Sequence, residues 1–288
     1  MIGIDWGTSS FRAVRLQGRA VVDRRDLPLG ILRVPPGGFA EALRGAIAPW
    51  LAEGESRVLV SGMAGSRQGW LEAPYLACPA DAAGLAGALA RVPFEGAQVL
   101  LVPGLSVPGD PPEVMRGEET QLVGVLAGIG REGLACLPGS HSKWAGISGG
   151  GIAGFATHLT GEAFSALGDH TILGRMVQPG AAADLDCFDR GIARSGQAGG
   201  LLHHLFGVRT LGLFDRLPNP ESYLSGLLIG HEVRAAAPGG RTVHLIGEAR
   251  LCALYARAIA HCGGSAVIVT EDAAAAGLAL IGEHAAWI

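Results

Sequence analysis

An α/β protein made of two copies of one domain, each built on a mixed sheet, is the fold class that the sequence predicts. Three observations carry it. Short apolar runs alternate with stretches of helical spacing along the whole chain. A strand–turn–strand–turn–strand pattern opens the chain at Met1 and opens again at Gly133. In both copies the first turn is polar and carries glycine, at Trp6–Ser10 and at Pro138–Lys143.

In order, Met1–Asp5 is an apolar run ending at an acid, and Trp6–Ser10 is a small turn. Phe11–Leu16 alternates with a period of two, Gln17–Gly18 turns, and Arg19–Leu27 continues extended. Phe39–Leu51 has apolar residues at helical spacing, Arg57–Ser61 reads as a buried strand, and Ala80–Leu89 as a helix. Gln98–Val102 is a further strand, followed by a loop from Pro103 to Pro112. Glu118–Gly128 is a helix with two acids in its first turn, where the helix dipole favours them. In the second copy the strands are Gly133–Leu137, Trp144–Ser148 and Ile152–His158. Helices are expected over Gly161–Leu173, Gly180–Ala193, Ala198–Leu205 and Glu221–Ala237. Thr242–Gly247 is a strand, Glu248–Cys262 a helix, Ser265–Thr270 a strand, and Glu271–His284 the closing helix. The expected domains are 1–130 and 131–288, with the closing helix at 272–286 able to pack back on the first.

Composition agrees with a folded, turn-rich chain. Its 288 residues are 49% hydrophobic and 17% charged, with 46 Gly and 16 Pro, enough to bury two modest cores. A formal net charge of −4 gives no electrostatic reason to expect nucleic acid or a membrane surface as partner. The five cysteines are scattered and never spaced CxxC, which argues against a disulfide framework or a zinc site. His203-His204 has no acid or thiol at ligand spacing, so no metal is expected there. With Asp5 near the start and no basic-then-apolar leader, a cytoplasmic location is expected.

The two turns carry the chemistry. Asp5 followed by Gly7, Thr8 and Ser9 suits a hydrated Mg²⁺ and phosphate oxygens, because one carboxylate orients the ion's waters and bare backbone N–H groups approach the phosphate. The same residues also make an ordinary hairpin. In the second turn Gly139 and Ser140 repeat the device, and His141 or Lys143 adds a cation for a triphosphate tail. A Walker A loop is excluded by the spacing and by the strand that follows.

With both turns placed, the chain resembles the sugar-kinase/actin/Hsp70 superfamily, and more closely the 2-dehydro-3-deoxygalactonokinase family. The matching stretches are DWGTSSFR (Asp5–Arg12), GMAGSRQGWLEAPY (Gly62–Tyr75), VMRGEETQL (Val114–Leu122), LPGSHSKW (Leu137–Trp144), THLTGE (Thr157–Glu162) and YLSGLLIG (Tyr223–Gly230). The resemblance implies two ribonuclease-H-like domains flanking an ATP cleft. It also implies phosphate transfer from ATP, with Mg²⁺, to 2-dehydro-3-deoxy-D-galactonate in galactonate breakdown.

A carboxylate must take the acceptor's proton. The resemblance aligns Gly117 with the glycine before the superfamily's base and so selects Glu118, with Glu119 one residue out of register. Both acids would also favour a helix N-terminus without any catalytic role. The loop after the strand at Arg57–Ser61 supplies Gly65, Ser66, Arg67, Gln68 and Trp70 as substrate contacts, either hydrogen bonds or an apolar wall. The carboxylate of a sugar acid calls for arginine, and Arg12, Arg67 and Arg116 are all candidates. Adenosine is expected at the strand–helix turn with Gly247, Glu248 and Leu251. Two other readings stay open, a kinase for a different sugar acid or a neutral sugar of the same superfamily, and an actin-like or chaperone-like ATPase module. The oligomeric state is open too, a homodimer included.

Overall fold

The computed structural model describes residues 1–176, 182–270 and 272–288. The expected helix start at Gly180 and Glu271 of the closing helix lie outside the described residues. The chain divides into two compact units. The first comprises Met1–Glu132, Ala145–Phe155 and Thr270–Ile288, and the second Gly133–Trp144 and Ala156–Val269.

The first unit opens with β1 (Ile2–Trp6), β2 (Phe11–Gln17) and β3 (Ala20–Leu27). β2 buries Phe11, Ala13, Val14 and Leu16 and exposes Arg12, close to the alternation expected of a half-buried strand. Then follow α1 (Phe39–Ala52), β4 (Arg57–Gly62), β5 (Tyr75–Ala77), α2 (Ala82–Gly87), β6 (Ala90–Val92), β7 (Gln98–Leu101), β8 (Gly104–Val107), β9 (Glu113–Met115) and α3 (Glu118–Ile129). β10 (Gly133–Leu137), β11 (Ser142–Ser148), β12 (Gly151–His158), α4 (Thr160–His170), α5 (Leu185–Ser195), α6 (Gly200–Leu213) and α7 (Pro220–Ala236) come next. The chain ends with β13 (Thr242–Leu245), α8 (Ala249–His261), β14 (Ser265–Ile268) and α9 (Ala273–His284).

The duplication is visible in the strand order. One sheet runs β3-β2-β1-β4-β7-β6 and the other β12-β11-β10-β13-β14, so that both place the third, second, first, fourth and fifth major strands side by side. In the first sheet β1 pairs antiparallel with β2, and parallel with β4, Asp5 lying opposite Ser61. β4 in turn pairs parallel with β7. The carboxyl ends of β1, β4 and β7 therefore lie at one edge, where open α/β sheets place their ligands.

Two expectations need correction. Residues 103–112 are not all loop, because β8 pairs with β5 and β9 in a small separate sheet. The expected helix over Ala80–Leu89 shrinks to α2, and Ala90–Val92 turns into β6 beside β7. These strands have three or four residues each, too few for a period to register in the sequence.

Glycine sets the helix packing. α9 belongs to the first unit and lies against α3, where a Cβ on Gly277 would stand 1.8 Å from the Thr120 carbonyl oxygen and one on Gly124 2.1 Å from that of Ala273. The second unit repeats the device between α5 and α7, where a Cβ on Gly226 would stand 2.0 Å from the Phe188 carbonyl oxygen. The first core gathers Ile2, Ile4, Trp6, Phe11, Leu43, Trp50, Val60 and Leu101, and the second Cys136, Trp144, Phe188, Val233, Leu245 and Tyr255. No described helix is long and apolar enough to cross a membrane.

Candidate active site

In the first unit, the turn after β1 is held from behind. Gly7 N–H donates to the Ser10 carbonyl (2.9 Å), while Ile31 and Leu32 N–H donate to the carbonyls of Gly7 and Thr8 (3.0 and 3.3 Å). Trp6 donates its indole N–H to Leu29 (2.7 Å), so the stretch from Leu29 to Leu32 forms the floor of the turn. A Cβ on Gly30 would sit 2.3 Å from Ser9, which is why that floor carries glycine. With the backbone of the turn held in this way, Thr8 and Ser9 stand exposed. Nothing in the local sequence of the turn signals this support.

Asp5 closes β1, its side chain 21% exposed and 3.8 Å from Arg12. Gly62 (φ +92°) and Gly117 (φ +108°) bring three backbone segments together beside it. A Cβ on Gly62 would lie 2.8 Å from the Trp6 carbonyl oxygen and 3.3 Å from Asp5 Oδ1, and one on Gly117 3.3 Å from the Gly62 Cα. Both glycines hold left-handed backbone that a side chain would resist. The close approach sets Glu118, the first residue of α3, near Asp5. Burial pushes the Asp5 carboxyl up; Arg12 opposes this, and the negative charges of Glu118 and Asp272 add to it.

The adjacent acids face opposite ways. Glu118 is half-buried, its Oε2 accepting from Arg116 N–H (3.1 Å). Glu119 is fully buried. It accepts from Gly117 N–H (2.6 Å), Thr120 Oγ1 (3.1 Å) and Ser61 Oγ (3.4 Å). Desolvation and the charge of Glu118 push its carboxyl up to about 7. Its bonds fix the entry to α3 rather than face a ligand, so the geometry gives Glu119 a supporting position.

The loop after β4 folds back on itself. Trp70 N–H donates to the Ala64 carbonyl (2.7 Å) and Ala73 N–H to that of Gly65 (2.9 Å). Trp70 stacks on Phe39 at 6.2 Å and meets Phe94 edge-on, so its ring anchors the loop to the core, where the sequence suggested a pocket wall. Gln68 is exposed. The three arginines separate clearly. Arg67 is 86% exposed and pairs with Glu72 (3.1 Å), Arg12 is 64% exposed beside Asp5, and Arg116 is buried.

The second unit holds a cavity of about 430 Å³ that brings Gly139 and Ser140 together with Glu248 and Leu251. Thr160 and Gly161, at the start of α4, line it as well. A Cβ on Gly161 would lie 2.5 Å from the Gly139 carbonyl oxygen, and Glu162 N–H donates to the Ser140 carbonyl (3.0 Å). Glycine thus lets the helix start press on the turn. Glu248 caps α8, accepting from Arg250 and Leu251 N–H (2.9 and 2.8 Å), which holds its carboxyl below the usual range. Gly247, at φ +144°, makes the preceding corner. The cavity walls also draw on Ser225 of α7, inside the YLSGLLIG stretch but given no role from the sequence, and on Asp184 of the α5 cap, which no local motif marked.

Beneath the second turn runs a buried chain of hydrogen bonds. Ser142 Oγ meets Tyr255 Oη (2.8 Å), which donates to Glu232 (2.7 Å), and Trp144 donates its indole N–H to the same carboxylate (2.8 Å). Lys143, expected at the phosphates, is buried with Nζ donating to the His141 carbonyl (3.2 Å), because the burial pattern of β11 turns it inward. His141 is exposed and hydrogen-bonds Glu162.

Among the described residues, no group of three or more His, Cys, Asp or Glu side chains could encage a metal ion. Asp5 and the exposed hydroxyls of Thr8 and Ser9 do suit a hydrated Mg²⁺, which needs one carboxylate and keeps most of its waters.

Comparison with known proteins gives the family and the fold. The family model described as 2-keto-3-deoxy-galactonokinase matches residues 5–281. A curated Rhizobium meliloti protein named "Probable 2-dehydro-3-deoxygalactonokinase DgoK1" is 36% identical over 286 residues, covering 94% of this chain and 92% of its own. The 2-dehydro-3-deoxygalactonokinase of Escherichia coli is 34% identical, covering 95% of this chain and 94% of its own. A crystal structure of a candidate 2-dehydro-3-deoxygalactonokinase from Sinorhizobium meliloti superposes with a TM-score of 0.89 at 34% identity, over 98% of this chain and 95% of that one. An activator of 2-hydroxyisocaproyl-CoA dehydratase from Clostridium difficile shares the fold alone, at a TM-score of 0.52 and 13% identity over 98% of this chain and 94% of that one. The chain belongs to the 2-keto-3-deoxy-galactonokinase family.

Proposed function

We propose that this protein transfers the terminal phosphate of ATP to the 6-hydroxyl of 2-dehydro-3-deoxy-D-galactonate, in galactonate catabolism in the cytoplasm. The observation that carries the reading is the meeting of Asp5 and Glu118 at one strand end, beside the polar loop after β4. Family membership supplies the reaction class. In this reading the cavity of the second unit takes the nucleotide, with Gly139 and Ser140 toward its phosphates and Gly247, Glu248 and Leu251 toward adenosine. Gly7, Thr8 and Ser9 offer the first unit's phosphate contacts, while Gly65, Ser66 and Gln68 face the sugar acid.

Glu118 accepts the proton of the attacking hydroxyl as the new oxygen–phosphorus bond forms. The bond from the terminal phosphorus to the leaving oxygen breaks, and ADP departs. Asp5 would hold a hydrated Mg²⁺, which when bound would neutralise charge on the phosphate oxygens. Glu119, held by Gly117, Ser61 and Thr120, keeps the start of α3 and hence Glu118 in place.

ADP release from MgATP is the test, with 2-dehydro-3-deoxygalactonate, its gluconate epimer, glucose, glycerol or water as acceptor. Turnover confined to the galactonate-derived acid is expected. Turnover with the epimer or a neutral sugar would keep the kinase and discard the substrate. ADP release indifferent to every acceptor would overturn the reading.

A further inference from the structure

Resting on the kinase reading, we propose that Arg116, with Gly65 and Ser66, is the receptor for the substrate's carboxylate. Arg116 is only 8% exposed. Its Nη2 donates to the Ala73 carbonyl (2.8 Å), and its Cζ lies 4.4 Å over the Tyr75 ring. Its Nε and Nη1 are buried and, among the described residues, have no hydrogen-bond partner. A guanidinium carries five donors and cannot shed its charge, so a buried one lacking a counter-charge is costly. A ring face and one carbonyl offset only part of that cost.

The missing partner is an anion, and the loop beside Nη1 is built for one. A Cβ on Gly65 would stand 3.1 Å from Nη1, so the absence of a side chain there leaves the room. Ser66, the next residue, has a buried Oγ that also lacks a partner. Cation and hydroxyl donor together match a carboxylate, whose two oxygens only accept. Arg116 stands two residues before Glu118, so one short segment bears both the carboxylate receptor and the base. The other arginines do not compete. Arg67 is spent on Glu72, and Arg12 lies beside the negative charge of Asp5.

The experiment measures initial rates with MgATP and varied 2-dehydro-3-deoxygalactonate. Wild type comes first, since failure to turn over this acid sinks the kinase reading itself, whatever Arg116 does. Given turnover, Arg116→Gln is expected to raise KM for the acid roughly 10- to 100-fold, the cost of a lost charged hydrogen bond. KM for ATP should stay within about two-fold, because uniform binding of the acid alone is removed. Pyruvate, which carries the same 2-oxo acid head, should inhibit wild type competitively and lose that effect in the variant. An unchanged KM for the acid in a folded Arg116→Gln protein would overturn the assignment. Should that variant fail to fold, Gly65→Ala, which crowds Nη1, and Ser66→Ala take its place. Raised KM in either supports the receptor, and unchanged KM in both overturns it.

Discussion

Glu118 and Glu119 are neighbours in sequence in opposite settings, one half-buried and one fully buried, and each has its own measurable consequence. Glu118→Gln should lower kcat roughly 100- to 10,000-fold, the range for loss of a general base, with stability little altered. Glu119 carries a carboxyl pushed up to about 7 by burial first and the charge of Glu118 second. Because its folded pKa lies above its unfolded value, the stability it contributes is complete below about pH 4.3 and is lost as pH rises through about 7. Urea melts of Glu119→Gln across pH 5–9 should therefore show a flatter loss of stability than wild type between about pH 5 and 7, and parallel behaviour above that. Equal pH slopes in the two proteins would remove the buried carboxyl from that role. For the proposed base, the resemblance of the sequence selected Glu118 but left the register open by one residue. Adjacent residues on a helix differ by about 100° in direction, and only the packing of α3 shows which one turns inward.

At the scale of elements, glycine decides how helices meet. α3 and α9 approach until backbone touches backbone at Gly124 and Gly277, as α5 and α7 do at Gly191 and Gly226. Gly277→Ala drives a methyl group into the Thr120 carbonyl and should destabilise the protein by about 2 kcal/mol or more. The melting temperature should then fall by at least about 4 °C, read by circular dichroism. A melt within about 1 °C of wild type would show that the two helices separate at little cost. Long, strongly periodic elements such as β1, β2, α3 and α7 were legible in the sequence. The short strands β5, β6, β8 and β9 were not, because their pairing comes from distant partners instead of from an internal period.

For the whole molecule, the cavity proposed to take the nucleotide lies entirely within the second unit, lined by residues from the turn after β10 to α8. A ligand that binds only the folded state stabilises it by about 2.7 kcal/mol at one hundred times its dissociation constant. ADP should accordingly raise the melting temperature and slow amide exchange around Gly139, Gly161 and Leu251. Protection confined to other parts of the chain would move the nucleotide elsewhere. By itself the sequence determined the duplicated α/β pattern, the two polar turns, and the family, because apolar period, turn chemistry and motif order are properties of neighbouring residues. Only the tertiary structure decided that Lys143 turns inward, that Trp70 anchors rather than lines, that Gly30 and Gly161 brace the turns, and that Arg116 is buried with donors to spare. These depend on contacts between residues far apart in the chain, and burial and close approach exist only once those residues have met.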